Sequence, residues 1–206
     1  QIGNEVSYGM LWDNLSAKDK SRHVIYLDPQ WFSYEKQEAQ IVRLASLLGA
    51  AAEGIRASDA KEARIILHIE RSGEPEWARN FYEWVAKAGF TDYDIIGLSY
   101  YPFWHGDLKN LKTVLGDIAE AYGKKVMVAE VAYPYTFDNG DTEGNNVTSK
   151  EWMNFSEYDI SVSGQAQSLR DVFASVAAVN KTVAGAGIGA FYWAPEWIAV
   201  DSSTWG

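Results

Sequence analysis

Residues 93–101, Tyr-Asp-Ile-Ile-Gly-Leu-Ser-Tyr-Tyr, form a near-continuous apolar run. An alternating run suits a sheet with one wet face, whereas a continuous one suits a parallel strand covered on both faces. Residues 63–69 (ARIILHI), 125–131 (KVMVAEV) and 187–193 (GIGAFYW) have the same character. Residues 1–5 (QIGNE) read as the end of a further buried strand. The segments between carry apolar residues at helical spacing: 34–57, 75–88, 107–122 and 164–183, with Gly89 and Gly123 placed as stop signals. Strand and helix therefore alternate through the chain. That order predicts an α/β fold with a parallel sheet and right-handed crossovers, either a doubly wound sheet or a (β/α)8 TIM barrel.

The polar, aromatic-rich segments follow the predicted strands, at 5–12, 68–74, 99–106, 130–145 and 193–197. Barrel enzymes place their chemistry at that strand end. No Gly-rich phosphate loop follows any strand, which counts against a nucleotide-binding sheet. Five βα units make an incomplete barrel, and about three more would be needed upstream. Residues 1–206 are then expected to be the C-terminal part of a single catalytic barrel domain, monomeric when complete and inactive as an isolated piece.

Composition narrows the function classes. Lys and Arg number 18 against 28 Asp and Glu, a net charge of −10, which disfavours nucleic acid and anionic membrane surfaces as partners. There are 9 Trp and 12 Tyr, whose flat faces with polar edges suit sugars as well as cores. The absence of Cys removes disulfides, a thiol nucleophile and thiolate metal sites, and with 3 scattered His nothing suggests zinc. No apolar run reaches the roughly 20 residues of a transmembrane helix, and residues 1–5 do not read as a signal peptide.

Glu130 closes the apolar run 126–129, and Glu5 follows Ile2-Gly3-Asn4. Carboxylates in apolar surroundings are costly unless paired or hydrogen-bonded. Two at strand ends, facing across a barrel mouth, would suit a retaining glycosidase, in which one carboxyl protonates the leaving oxygen and the other attacks the anomeric carbon. The alternative is that each is a helix-start or strand-end residue in a salt bridge.

The run 93–106 (YDIIGLSYYPFWHG) resembles the sixth barrel strand of glycoside hydrolase family 53, the arabinogalactan endo-β-1,4-galactanases. QIGNE resembles the fourth strand, ARIILHIERSG the fifth, VMVAEVAYPYT the seventh and GIGAFYWAPEW the eighth; residues 15–61 match least. The resemblance implies a retaining endo-hydrolase of β-1,4-galactan, with Glu5 as general acid/base and Glu130 as nucleophile. It implies Asn4 near the sugar 2-hydroxyl, and either Tyr100 or Tyr101 holding the nucleophile. It further implies Trp193 as a sugar platform, with His68, Trp104 and His105 as further substrate-contact candidates. A secreted, periplasmic or cell-surface location follows from the same resemblance. The chain departs from the family pattern at 194–196 (Ala-Pro-Glu), where the acidic residue is displaced. Another β-glycanase of the same clan, or a non-catalytic carbohydrate-binding barrel, is the alternative.

Asn139, Asp141, Glu143 and Asn145 place oxygen donors at every second position of a Gly-containing loop. Such a loop suits structural Ca²⁺, which takes six to eight oxygens, or is a solvated acidic turn. The family resemblance favours calcium there.

Overall fold

A computed structural model describes residues 1–11, 25–28, 33–140, 144–155 and 157–194. Its elements are strands β1 (Gly9–Met10) and β2 (Ile25–Tyr26), helix α1 (Tyr34–Arg56), β3 (Ile66–Ile69), α2 (Pro75–Lys87), β4 (Ile95–Tyr100), the short α3 (Pro102–His105), α4 (Leu108–Tyr122), β5 (Lys125–Val131), α5 (Val162–Ala178) and β6 (Gly187–Tyr192). The helices begin where side chains satisfy free amides. Ser33 accepts from the Lys36 amide, Asp107 from Asn110 and Ser161 from Gly164. Helix α4 stops at Gly123, which takes the left-handed conformation (φ 58°).

Strands β3, β4, β5 and β6 are hydrogen-bonded in that order, all parallel. Helix α1 packs on α2, α2 on α4 and α4 on α5. A doubly wound sheet reverses its strand order and covers both faces. Here neither the strand order nor the helix order reverses, so the elements form an arc of barrel wall with the helices outside. Ile96 and Leu98 of β4, with Val126 and Val128 of β5, are fully buried in one cluster with Phe81, Leu111, Leu115 and Val172 from the helices. Each such side chain contributes roughly 1.5–3 kcal/mol of hydrophobic stabilisation.

One irregularity decides which face Glu130 takes. Gly97 pairs with Met127 and Leu98 with Val128, but Ser99 then pairs with Glu130, leaving Ala129 as an extra residue. Strict alternation would put Glu130 on the same face as Val126 and Val128, under the helices. A one-residue slip exchanges faces. The bulge at Ala129 therefore turns Glu130 to the inner face that Ser99 shares.

Two expectations need correction. Residues 1–5 are not a ladder strand: one bond, Ile2 N–H to the Ile66 carbonyl (3.0 Å), links them to β3. Gly3 (φ 73°) and Glu5 (φ 48°) are left-handed, so the chain turns into a 3-10 helix over Val6–Tyr8 instead of extending. In addition, β1 and β2 form an antiparallel pair that the pattern did not suggest. Strand β6 leaves Ile188 and Phe191 41% and 62% exposed.

Gly97 leaves the inner face room: a Cβ there would lie 2.9 Å from Ile66 Cγ2 and 3.2 Å from Ala129 Cβ. Gly97→Ala is expected to destabilise the protein by about 1–3 kcal/mol. A lowered urea midpoint with unchanged slope would show it, and an unchanged midpoint would contradict the close packing.

Candidate active site

The inner-face residues build the site from three directions. Strand β4 contributes Ser99 and, just past its end, Tyr101; β5 contributes Glu130; the left-handed turn at the N-terminal segment contributes Glu5. Tyr101 donates its phenol to Glu130 Oε2 at 2.8 Å, and Ser99 donates its hydroxyl to Glu5 Oε1 at 2.5 Å. One oxygen each of Glu5 and Glu130 and a ring nitrogen of His68 all lie within 4.8 Å of one another.

The turn carrying Glu5 is held from β3. Ser7 hydrogen-bonds to Glu70 and accepts from Arg71 Nε at 2.8 Å. The Arg71 guanidinium lies 4.1 Å from the centre of the Tyr8 ring and 4.9 Å from that of Trp77, a favourable cation–π placement. Arg71 also reaches Glu74 Oε1 at 2.7 Å. Burial raises the Glu70 carboxyl, opposed by the bond from Ser7 and the charge of Arg71.

Burial also raises Glu130 above the ordinary carboxylate range; the Tyr101 hydrogen bond pulls it down and the Glu5 charge pushes it up. Burial pushes His68 down to about 4, so its imidazole is neutral at ordinary pH. His105 is likewise pushed down to about 4, by burial and the Arg71 charge, and its Nδ1 accepts from the Tyr101 amide at 2.9 Å.

A cleft of about 660 Å³ opens over this pair, with Asn4, Glu5, Tyr101, Trp104, Glu130 and Trp193 among its walls. Trp104 and Trp193 are 48% and 40% exposed, and their rings stand edge-on to Tyr101 at 5.3 and 6.4 Å. Apolar faces beside a carboxylate pair are what a pyranose ring requires.

The family profile of glycosyl hydrolase family 53 matches residues 1–206. The chain belongs to glycosyl hydrolase family 53. It is 44% identical over 155 residues to an endo-beta-1,4-galactanase of Bacillus subtilis, aligning 74% of this chain with 34% of that one. It is 34% identical over 203 residues to a probable arabinogalactan endo-beta-1,4-galactanase A of Aspergillus terreus, aligning 95% of this chain with 49% of that one. The Ignisphaera aggregans GH53 catalytic domain superposes with a TM-score of 0.75 at 27% identity, over 96% of this chain and 47% of that one. The chain thus spans about half or less of the length of these relatives. The likeness shows the arc of β3–β6 to be part of a (β/α)8 barrel.

In this family 53 chain the candidate residues fall into two groups. Asn4, Glu5, Tyr101, Trp104, Glu130 and Trp193 line the cleft, together with Asn145 from the loop after β5. His68, Tyr100, His105 and Asn139 do not line it. His68 is fully buried behind Ser99, and Tyr100 is buried with its hydroxyl on the Gly106 carbonyl at 2.9 Å. Of the two tyrosines, Tyr101 is the one whose hydroxyl meets Glu130. Pro195, Glu196 and Trp197 lie outside the described residues, as do Asp141 and Glu143.

Sequence reasoning missed Ser99, Ser7, Glu70 and Arg71. Ser99 left a signal, being the polar member of a Gly97–Ser99–Tyr101 alternation on one strand face. The Arg71 network left none, because its partners are 63 and 64 positions apart in the chain.

Glu5, His68 and Glu130 are a grouping that geometry alone would let hold a metal ion. Two carboxylates already accepting from hydroxyls, plus one imidazole, do not supply the six to eight oxygens of calcium. In the loop after β5, Asn145 Nδ2 donates to the Phe137 and Asp138 carbonyls at 3.3 and 3.2 Å. By sequence, Asn139, Asp141, Glu143 and Asn145 offer hard side-chain oxygens of the kind calcium takes.

Tyr101→Phe removes the donor that favours the ionised form of Glu130. Loss of a hydrogen bond to a charged group, about 1.5–3 kcal/mol, should raise the titration midpoint of Glu130 by about one pH unit or more. Carbon-13 NMR of labelled Glu would read this directly, and an unmoved or lowered midpoint would contradict the role given to Tyr101.

Proposed function

We propose that the protein containing this chain is a retaining endo-β-1,4-galactanase acting on the galactan of arabinogalactan and pectin, with Glu130 as nucleophile and Glu5 as acid/base. The observation that carries this reading is the separation of the two carboxylates, whose nearest oxygens lie within 4.8 Å. Retaining glycosidases hold their carboxyls about 5–5.5 Å apart, whereas inverting ones need about 6.5–9.5 Å to admit a water between them. The names of the relatives supply the substrate class.

In the first step Glu130 attacks the anomeric carbon as the bond to the leaving oxygen breaks, and the Glu5 proton passes to that oxygen. A galactosyl ester on Glu130 results. In the second step Glu5, now a carboxylate, takes a proton from water as the water oxygen attacks the same carbon and frees Glu130. Two inversions give net retention. Tyr101 supports the first step by favouring the ionised nucleophile. Trp193 and Trp104 offer stacking faces along the cleft, and Asn4 stands on the Glu5 side of it.

This reading makes residues 1–206 the C-terminal part of one catalytic barrel, acting as a monomer. It also places the protein outside the cell membrane, where a polymeric substrate is met, and no helix among the described residues is long and apolar enough to cross a membrane. The loop of Asn139, Asp141, Glu143 and Asn145 would hold Ca²⁺ in a structural role, pinning the segment beside the cleft.

Full-length protein should release galacto-oligosaccharides from galactan and little from xylan, mannan or β-glucan. Robust activity on xylan with none on galactan would overturn the substrate. Glu130→Ala should lower turnover on the order of 10⁴-fold or more while sugar binding persists. Unchanged turnover would overthrow the assignment. Chelation of calcium should lower the melting temperature by about 5 °C and added Ca²⁺ should restore it. Insensitivity to chelator would remove the metal from the account.

A further inference from the structure

His68 is fully buried, yet it touches the acid/base through a single intermediary. Its Nε2 lies 2.8 Å from Ser99 Oγ, and Ser99 Oγ lies 2.5 Å from Glu5 Oε1. Ser99 is fully buried too. His68 stands opposite Gly97 in the β3–β4 register, and the missing side chain at Gly97 leaves the inner face open between the two strands.

The direction of the chain of bonds follows from the imidazole. Neutral His68 carries one N–H. Its Nδ1 is buried with no hydrogen-bond partner among the described residues. A proton on Nδ1 would leave a buried N–H donor orphaned, which proteins avoid more strictly than an orphaned acceptor. The proton therefore belongs on Nε2, where it donates to Ser99 Oγ. The single hydroxyl hydrogen of Ser99 is then directed at Glu5 Oε1. Glu5 Oε2 has no protein partner among the described residues.

We propose that His68 and Ser99 are positioning residues for the acid step: His68 fixes the Ser99 hydroxyl as a donor to Glu5 Oε1, so that the carboxyl proton of Glu5 is carried on the free oxygen, Oε2. The proposal rests on the retaining reading of the Glu5–Glu130 pair. It changes the part of His68, which contacts no sugar and acts through Ser99. A donor locked on Oε1 disfavours protonation of that oxygen and keeps the carboxyl plane from rotating. The proton is thus held where the leaving oxygen can receive it, and the arrangement needs no reorganisation during the reaction.

The test compares two leaving groups in the full-length enzyme. Cleavage of galactan requires a proton on a sugar alkoxide. Cleavage of a dinitrophenyl β-galactobioside does not, because the phenolate leaves unprotonated. Ser99→Ala is expected to lower kcat/KM on galactan by about 30-fold and on the dinitrophenyl substrate by less than about threefold, within the range general acid catalysis contributes. Ser99→Thr, which keeps the hydroxyl, should restore galactan cleavage to within about threefold of the starting enzyme. His68→Leu should reproduce the selectivity of Ser99→Ala. Ser99→Ala carries the test, because it removes one atom where His68→Leu reshapes a buried site. Equal losses on both substrates, or no loss on either, would overturn the relay while leaving the glycosidase reading intact. Failure of the unmodified enzyme to cleave either substrate would overturn that reading, and the relay with it.

Discussion

A carboxylate beneath the helices would be an uncompensated buried charge, and the bulge at Ala129 is what keeps Glu130 from that position. Valines 126 and 128 and Glu130 share parity in the sequence, so a regular strand would send all three into the same apolar layer. The extra residue separates them. The valines stay in the core, and Glu130 joins Ser99 on the inner face, within reach of the Tyr101 phenol. The rest of the site assumes that placement. Glu5 has a partner to face, the tryptophans flank a pair and not a single acid, and the cleft lies over both.

The two carboxylates lie within 4.8 Å of one another, and the proposed reaction needs one protonated while the other is ionised. The surroundings treat them differently. Glu130 has a phenol donor whose hydrogen bond favours the anion, against burial that disfavours it. Glu5 sits on a strained left-handed turn, backed by a serine and a neutral histidine. The strain is supported by a network behind the turn: Arg71, wedged between Tyr8 and Trp77, grips Ser7 two residues beyond Glu5. Loop, strand and turn thus converge on one constellation, each secured by partners distant in the chain.

Much of this was legible in the sequence. The continuous apolar runs gave the parallel strands, and the helices fell within a few residues of their expected bounds, because side-chain caps such as Asp107 and stops such as Gly123 act locally. The two glutamates, Trp104 and Trp193 were legible as polar or aromatic residues placed after apolar strands. What was not legible depended on register or distance. Periodicity alone does not reveal the bulge at Ala129, and residues 1–5 read as a strand because composition does not show that Gly3 and Glu5 turn left-handed. His68 was a substrate-contact candidate through the family resemblance; here it is buried, and Ser99 lies between it and Glu5. Tyr100 and Tyr101 are neighbours in sequence, and only their opposite directions distinguish a core hydroxyl from one that lines the cleft.

In the proposed reaction the bulged β5 presents Glu130, and no other carboxylate, to the anomeric carbon. Full-length enzyme treated with an activated 2-deoxy-2-fluoro β-galactobioside, digested and sequenced by mass spectrometry, tests it most directly. A single stable glycosyl ester on Glu130 is expected. An ester on Glu5 or Glu70, or steady turnover that yields product of inverted configuration with no ester, would contradict it.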